Sequence, residues 1–192
     1  MRGERFRAAF GVFAESLLVG VWVGLAALPL VTLPAALAAG AAHLRRWTRG
    51  EASGLRYFAA DLRGALGGGG WGVGLGCLAV LALVGADLML VRALPVPGGR
   101  LTGVLAILVA LWLTVTVLRA ATAWRASLRW RVLLGPAARR ALFDPAGSLL
   151  MVCGLAVIVA SAWLSAPLAV PALGVLLAAT LAAERRGACP SP

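Results

Sequence analysis

Charge is absent from four long stretches of the chain. Ser16 to Leu44, Gly64 to Ala86, Leu101 to Leu118 and Pro145 to Ala183 contain no Asp, Glu, Lys or Arg, giving runs of 29, 23, 18 and 39 residues. A helix rises about 1.5 Å per residue, so a bilayer core of about 30 Å takes roughly 20 apolar residues, and each run meets or approaches that length. The pattern predicts an all-α, polytopic transmembrane helical bundle. About five to six helices are expected to enter the membrane, with amphipathic helices along the cytoplasmic interface.

Prolines and glycines subdivide the runs. Pro29 and Pro34 flank Leu30-Val31-Thr32-Leu33, and proline both lacks a backbone donor and disfavours helix at the residue before it. The first run therefore predicts a broken hairpin over 13–47 with Pro29 and Pro34 as its hinge: one arm from Phe13 to Leu28, the other from Pro34 to Trp47. Each arm is short for a full crossing, so a turn inside the membrane would need covering by protein. Next, Leu55, Phe58, Ala59, Leu62 and Leu66 recur at helical spacing opposite Arg56, Tyr57, Asp61 and Arg63, with Ser53 placed to cap; this predicts a helix lying along the surface. Gly67 to Gly70 form a hinge before a span over 71–91. Pro95, Pro97, Gly98 and Gly99 supply a turn, and the span over 101–118 is expected to continue into a basic helix carrying Trp124, Leu128 and Val132, ended by Gly135 and Pro136. Pro167 and Pro171 divide the last run into spans over 148–164 and 168–183, so residues 1–192 read as one integral membrane domain.

Composition agrees with that reading. Mean hydropathy is +0.94, 61% of residues are hydrophobic and 13% are charged, against about 25% charged in soluble domains. The net charge of +11 is placed outside the spans, where basic residues are expected to meet anionic lipid headgroups at the cytoplasmic face, so nucleic acid is not an expected partner. If both hairpins return to their starting side, 16 of the 18 arginines share one side and only Arg92 and Arg100 face the other; a single crossing by the first run lowers the count to 13. The positive-inside rule thus predicts a multi-pass cell-membrane protein with both termini in the cytoplasm. Arg2, Arg5 and Arg7 before an apolar stretch, with Ala36-Leu37-Ala38, imitate a secretory leader, but Glu15 and the later spans favour a retained helix.

An ionisable group near a span is a functional candidate, and three stand out. Asp87 lies near the outer end of its helix and is expected to pair with Arg92 or cap a neighbour; Glu15 opens the first arm and is expected to meet an arginine; His43, the single histidine, reads as an interfacial anchor beside Arg45 and Arg46. Cys77, Cys153 and Cys189 are far apart, no HExxH occurs, and Ser16, Ser148, Ser161 and Ser165 have no recognisable basic partner. No catalytic residue, metal site or cofactor is therefore expected, and the chain does not read as an enzyme. Gly20 and Gly24, Gly70 and Gly74, and Gly72 and Gly76 form small-xxx-small pairs suited to helix packing. Gly72-Val73-Gly74-Leu75-Gly76 lacks the Lys-Ser/Thr ending of a nucleotide loop. Trp22, Trp47, Trp71, Trp112, Trp124, Trp130 and Trp163 lie mainly near span ends, so most read as interfacial anchors.

The stretch Ala27-Leu28-Pro29-Leu30-Val31-Thr32-Leu33-Pro34-Ala35-Ala36-Leu37, followed by Leu44-Arg45-Arg46-Trp47-Thr48-Arg49-Gly50-Glu51, resembles the LPxVTxGPAxxAL and RxxRxxE opening of the YesL-like membrane proteins. Leu55-Arg56-Tyr57-Phe58-Ala59-Ala60-Asp61-Leu62 is similar to that family's VFRDFFRAF surface helix, and Gly85-Ala86-Asp87-Leu88 to its GxDL. The resemblance covers Phe10 to Leu90; it departs at Pro34, where a Gly is common nearby, and at Gly67 to Gly70, which replaces a polar stretch. It implies a small bacterial integral membrane protein without an assigned activity, of a kind often encoded beside genes for carbohydrate import and breakdown. The expected function is a non-enzymatic accessory component associated with carbohydrate transport or utilisation. The alternative is a scaffold or assembly factor that binds another membrane protein and has no transport role. Either reading makes a membrane protein or a second copy of the chain the expected partner, since the spans offer few midplane polar groups for a substrate pathway.

Overall fold

The computed structural model describes residues 2–93, 99–164 and 172–181, and among them every element is helical. α1 (Arg2–Ala26) and α2 (Leu33–Thr48) form the proline-bounded hairpin, joined through one 3-10 turn at Leu30–Thr32. α1 begins at Arg2 rather than near Phe13. Pro34 occupies the first turn of α2, where its missing N–H costs no helical bond. The Thr32 hydroxyl donates to the carbonyls of Ala26 and Pro29, which closes the turn.

α3 (Leu55–Ala65) packs along α2 and runs through a wider π-type turn, Leu66–Gly70, into α4 (Trp71–Ala93). Gly69 takes φ 108° within that turn, a conformation glycine reaches without a Cβ penalty, so the expected hinge is a real break in the helical path. Two details of α3 differ from the sequence expectation. Gly54, not Ser53, precedes the helix, and no side chain caps it. The buried face is Phe58, Asp61 and Ala65, while Leu55 is exposed; a carboxylate with a buried partner displaces an apolar side chain from the inward stripe.

α5 (Gly99–Ala123) returns alongside α4, followed by α6 (Trp130–Phe143), α7 (Pro145–Leu164) and a short α8 (Ala172–Leu181). The expected continuous basic helix is divided, because residues 124–129 form a turn and Gly135 and Pro136 lie inside α6 rather than ending it. The cause is Arg45, whose guanidinium donates to the Thr122 and Trp124 carbonyls and so supplies at the end of α5 what a further helical turn would have supplied. The residues at Pro95, Pro97, Pro167, Pro171, Arg185, Arg186 and Cys189 lie outside the described part.

Three helices are long and apolar enough to cross a membrane: Leu55–Ala93, which contains α4, Leu101–Ala123 in α5, and Pro145–Leu164. The apolar part of α1, Ala14–Ala26, and α8 are shorter, so among the described residues three helices have spanning length and these two are apolar but short of it. α2 is the centre of the bundle. Every residue from Pro34 to Leu44 is buried, and most are Ala or Gly, which lets α1, α3, α4 and α5 close around it. A Cβ on Gly40 would come within 2.7 Å of Val23 and 3.0 Å of Leu177, so α1 and α8 both press on this helix.

Gly74 fixes the height of the hairpin. A side chain there would run into the Val31 carbonyl, so the first turn of α4 rests directly on the backbone of the hairpin turn. The nineteen residues of α4 beyond Gly74 then carry that helix about 28 Å past the turn. Gly74→Ala should therefore lower stability in detergent by at least about 1–3 kcal/mol through overpacking. Gly72→Ala, where a Cβ meets nothing within 4 Å, should leave stability unchanged or raise it by up to about 1 kcal/mol through helix propensity. Thermal melts of the two variants followed by circular dichroism check this; indistinguishable melts would remove Gly74 from the packing.

Candidate functional site

Glu15 and His43 lie at equal distances on either side of Pro29, fourteen residues each way, and closing the hairpin brings them together. His43 Nε2 is 2.7 Å from Glu15 Oε1, and the ring is fully buried with Trp22 edge-on at 5.1 Å. Trp22 in turn packs on Phe58 of α3 at 5.6 Å. His43 is thus a core residue, not an interfacial anchor, and Glu15 meets a histidine rather than an arginine. The equal spacing about Pro29 is the signal available in the sequence for this pair, although neither residue is expected there to meet the other. The other ring nitrogen, Nδ1, is buried without a hydrogen-bond partner among the described residues.

Three arginine contacts tie the same end of the bundle together. Arg46 donates two hydrogen bonds to buried Asp61, the second at 2.9 Å, and this pairing raises the arginine's pKa further. Arg45, beyond the three spanning helices, is pulled down to about 10, first by burial and then by Arg125 and Arg49, so it keeps its charge at neutral pH. Arg119 is buried and reaches Asp144 Oδ2 at 2.7 Å, with Ser148 Oγ at 3.3 Å. The Asp144 carboxyl also accepts the Gly147 N–H at 3.0 Å, which satisfies one of the free donors at the start of α7. The Arg119 bond, then the Gly147 bond, hold Asp144 below the usual carboxylate range.

Trp130 completes this end by donating Nε1–H to the Ala65 carbonyl at 2.9 Å, where α3 gives way to the π-type turn. Trp124 lies against Gly64. Both indoles are nearly inaccessible, so they are packing residues and not anchors, whereas Trp163 is 91% exposed.

Asp87 is half-buried on α4 and, among the described residues, pairs with neither Arg92 nor any other side chain. The glycines divide into two groups. Gly20 is buried where α8 crosses α1, since a Cβ on Gly174 would strike Ser16 and Gly20 backbone; Gly24 is half-buried. Gly70 abuts Ala65 and Ala35, and Gly74 abuts Val31. Gly72 and Gly76 instead face open space.

That space is a cavity of about 1060 Å³. Its base is the hairpin (Leu30, Leu33, Pro34, Leu37); its walls are α4, from Gly72 to Leu81, and α5, from Ala110 to Leu118; Leu155, Leu173 and Leu176 close one side. Arg129, Trp130 and Arg131 stand at one end with Gly67, Gly68 and Gly69. The lining is mainly apolar, and the Thr114 hydroxyl is engaged by the Ala110 carbonyl of its own helix at 2.8 Å. Among the described residues no three His, Cys, Asp or Glu side chains converge as metal ligands.

Comparison of the chain with protein-family models, with curated proteins and with solved structures finds no match.

The Asp144 carboxyl gives an acid signature. Its folded-state pKa is depressed, so its contribution to stability is complete above the ordinary Asp value of about 3.9 and is lost as pH falls through the lower folded-state value. Acid titration of the protein in detergent should show this loss as pH falls below about 4 in the natural chain, while Asp144→Asn should be less stable at neutral pH and flatter in that acid range. Parallel curves for the two proteins would mean that the Arg119 pairing does not contribute to stability.

Proposed function

We propose that the chain is a non-enzymatic accessory protein of the cell membrane that acts by binding another membrane protein, with both termini and the arginine-rich end in the cytoplasm. The observation that carries this reading is the placement of polar side chains. Glu15 with His43, Arg45 with the end of α5, Arg46 with Asp61, and Arg119 with Asp144 each join one helix to another at one end of the bundle. A substrate pathway needs polar groups near the midplane, whereas the cavity beyond the hairpin is lined mainly by apolar side chains, with its two arginines, Arg129 and Arg131, at one end. Few residues of α4 and α7 are buried within the chain, which leaves much of their surface for lipid and for a partner. The association with carbohydrate transport or utilisation rests on the resemblance to the YesL-like proteins over Phe10 to Leu90.

A cysteine placed at position 97 should react with a membrane-impermeant thiol reagent in intact cells, since the arginine distribution puts that turn outside; reaction only after permeabilisation would invert the orientation. Asp87→Asn distinguishes accessory from transporter. Deleting the chain should reduce uptake by the system it accompanies, and reintroducing the Asp87→Asn variant at normal level should restore uptake in full. Loss of uptake in that variant, with normal insertion, would make the chain itself the transporter. Unchanged uptake on deletion would leave the scaffold role without transport.

A further inference from the structure

The α1–α2 hairpin ends level with the first turn of α4, while α4 and α5 continue beyond it. The hairpin is too short to fill the space between them, and the remaining volume is the cavity of about 1060 Å³. We propose that this cavity is a binding site for one anionic glycerophospholipid, with its acyl chains between α4 and α5 and its phosphate at Arg129 and Arg131. The inference is independent of the accessory reading and would hold for a transporter of the same fold.

Shape, polarity and charge each support this occupant. Along α4 the lining runs from Gly72 to Leu81, about 14 Å of helical rise, which is close to the roughly 15 Å half-thickness of a bilayer core and suits an extended acyl chain. The volume is just above the roughly 300–1,000 Å³ range of pockets for drug-sized ligands. Gly72 and Gly76 make the α4 wall concave, because neither carries a side chain and nothing lies within 4 Å of where one would begin. A mainly apolar lining favours hydrocarbon over water. At its end, Arg129 and Arg131 are exposed and have no acidic or hydrogen-bonding partner among the described residues, unlike Arg45, Arg46 and Arg119. Two unpaired guanidiniums at the mouth of an apolar cavity suit a phosphate, which accepts charge-assisted hydrogen bonds in their planar geometry. They also lie at the arginine-rich end, toward the leaflet that carries anionic headgroups.

The full-length protein, stripped of lipid by detergent exchange, is incubated with micelles containing equal amounts of phosphatidylglycerol and phosphatidylcholine of identical chains, and retained lipid is counted by native mass spectrometry. The natural chain should hold one phosphatidylglycerol with a preference of about tenfold. Arg129→Gln with Arg131→Gln should keep a lipid but lose the preference. Gly72→Leu with Gly76→Leu should retain neither lipid while keeping its circular dichroism and elution volume. If that double variant misfolds, Leu113→Trp, which narrows the same space from the α5 wall, is read in its place. Equal retention of both lipids by the natural chain, or undiminished phosphatidylglycerol on the folded cavity-filling variant, would overturn the proposal. So would a polypeptide, rather than a lipid, as the species that those variants displace.

Discussion

A helix buried from Pro34 to Leu44 needs a partner on every side, and α1, α3, α4 and α5 are arranged around α2 to provide them. The constraint is steric before it is chemical. Within lipid, helices gain little from hiding apolar surface and associate chiefly through close van der Waals packing, which small side chains permit. α2 is built for such packing, with Ala at 35, 36, 38, 39, 41 and 42 and Gly at 40. A larger residue at Gly40 would have to displace Val23 of α1 and Leu177 of α8 together.

The C-terminal end of α2 converts this packing into fixed orientation. Arg45 completes the carbonyls at the end of α5, Arg46 draws Asp61 of α3 inward, and His43 holds Glu15 of α1. Arg46 and Asp61 form the charged pair among these contacts, and it is stabilising only while both partners remain. Losing one side of a buried pair typically costs about 3–5 kcal/mol because the survivor is left uncompensated. Four consecutive residues, His43 to Arg46, therefore set the positions of three neighbouring helices, with Leu44 of the same segment facing the core. Among the described residues these polar side chains join helix to helix at one end of the bundle.

Much of this organisation was legible in the sequence, but unevenly. Runs without charge gave the apolar helices, and Pro29 and Pro34 gave the hairpin, because helix length and proline geometry are local properties. The fate of individual polar residues was not local. Asp61 reads as solvent-facing on its own helix, and only the approach of Arg46 from α2 makes its burial favourable. The end of α5 at Ala123 is equally invisible without Arg45 from a segment far away in sequence. Gly72 and Gly76 have the same small-xxx-small spacing as Gly70 and Gly74, yet one pair borders open space and the other bears on backbone or neighbouring side chains. Spacing shows that helices can approach closely on a given face; it does not show which face meets a partner.

The short hairpin links the architecture to the membrane. Because its turn rests on Gly74, it reaches only the start of the apolar part of α4, and the deeper region is bounded by α4 and α5 with the cavity between them. A first hairpin that crossed completely would fill that space and bring its turn level with the far end of α4. Distance measurement by double electron-electron resonance separates the two arrangements, using spin labels at Leu28, exposed at the hairpin turn, and Arg92, exposed near the end of α4. The account predicts a separation of about 28 Å or somewhat more, set by the rise of α4 beyond the turn; a separation below about 15 Å, which is half the apolar thickness of a bilayer, would place the turn near the opposite face and contradict it.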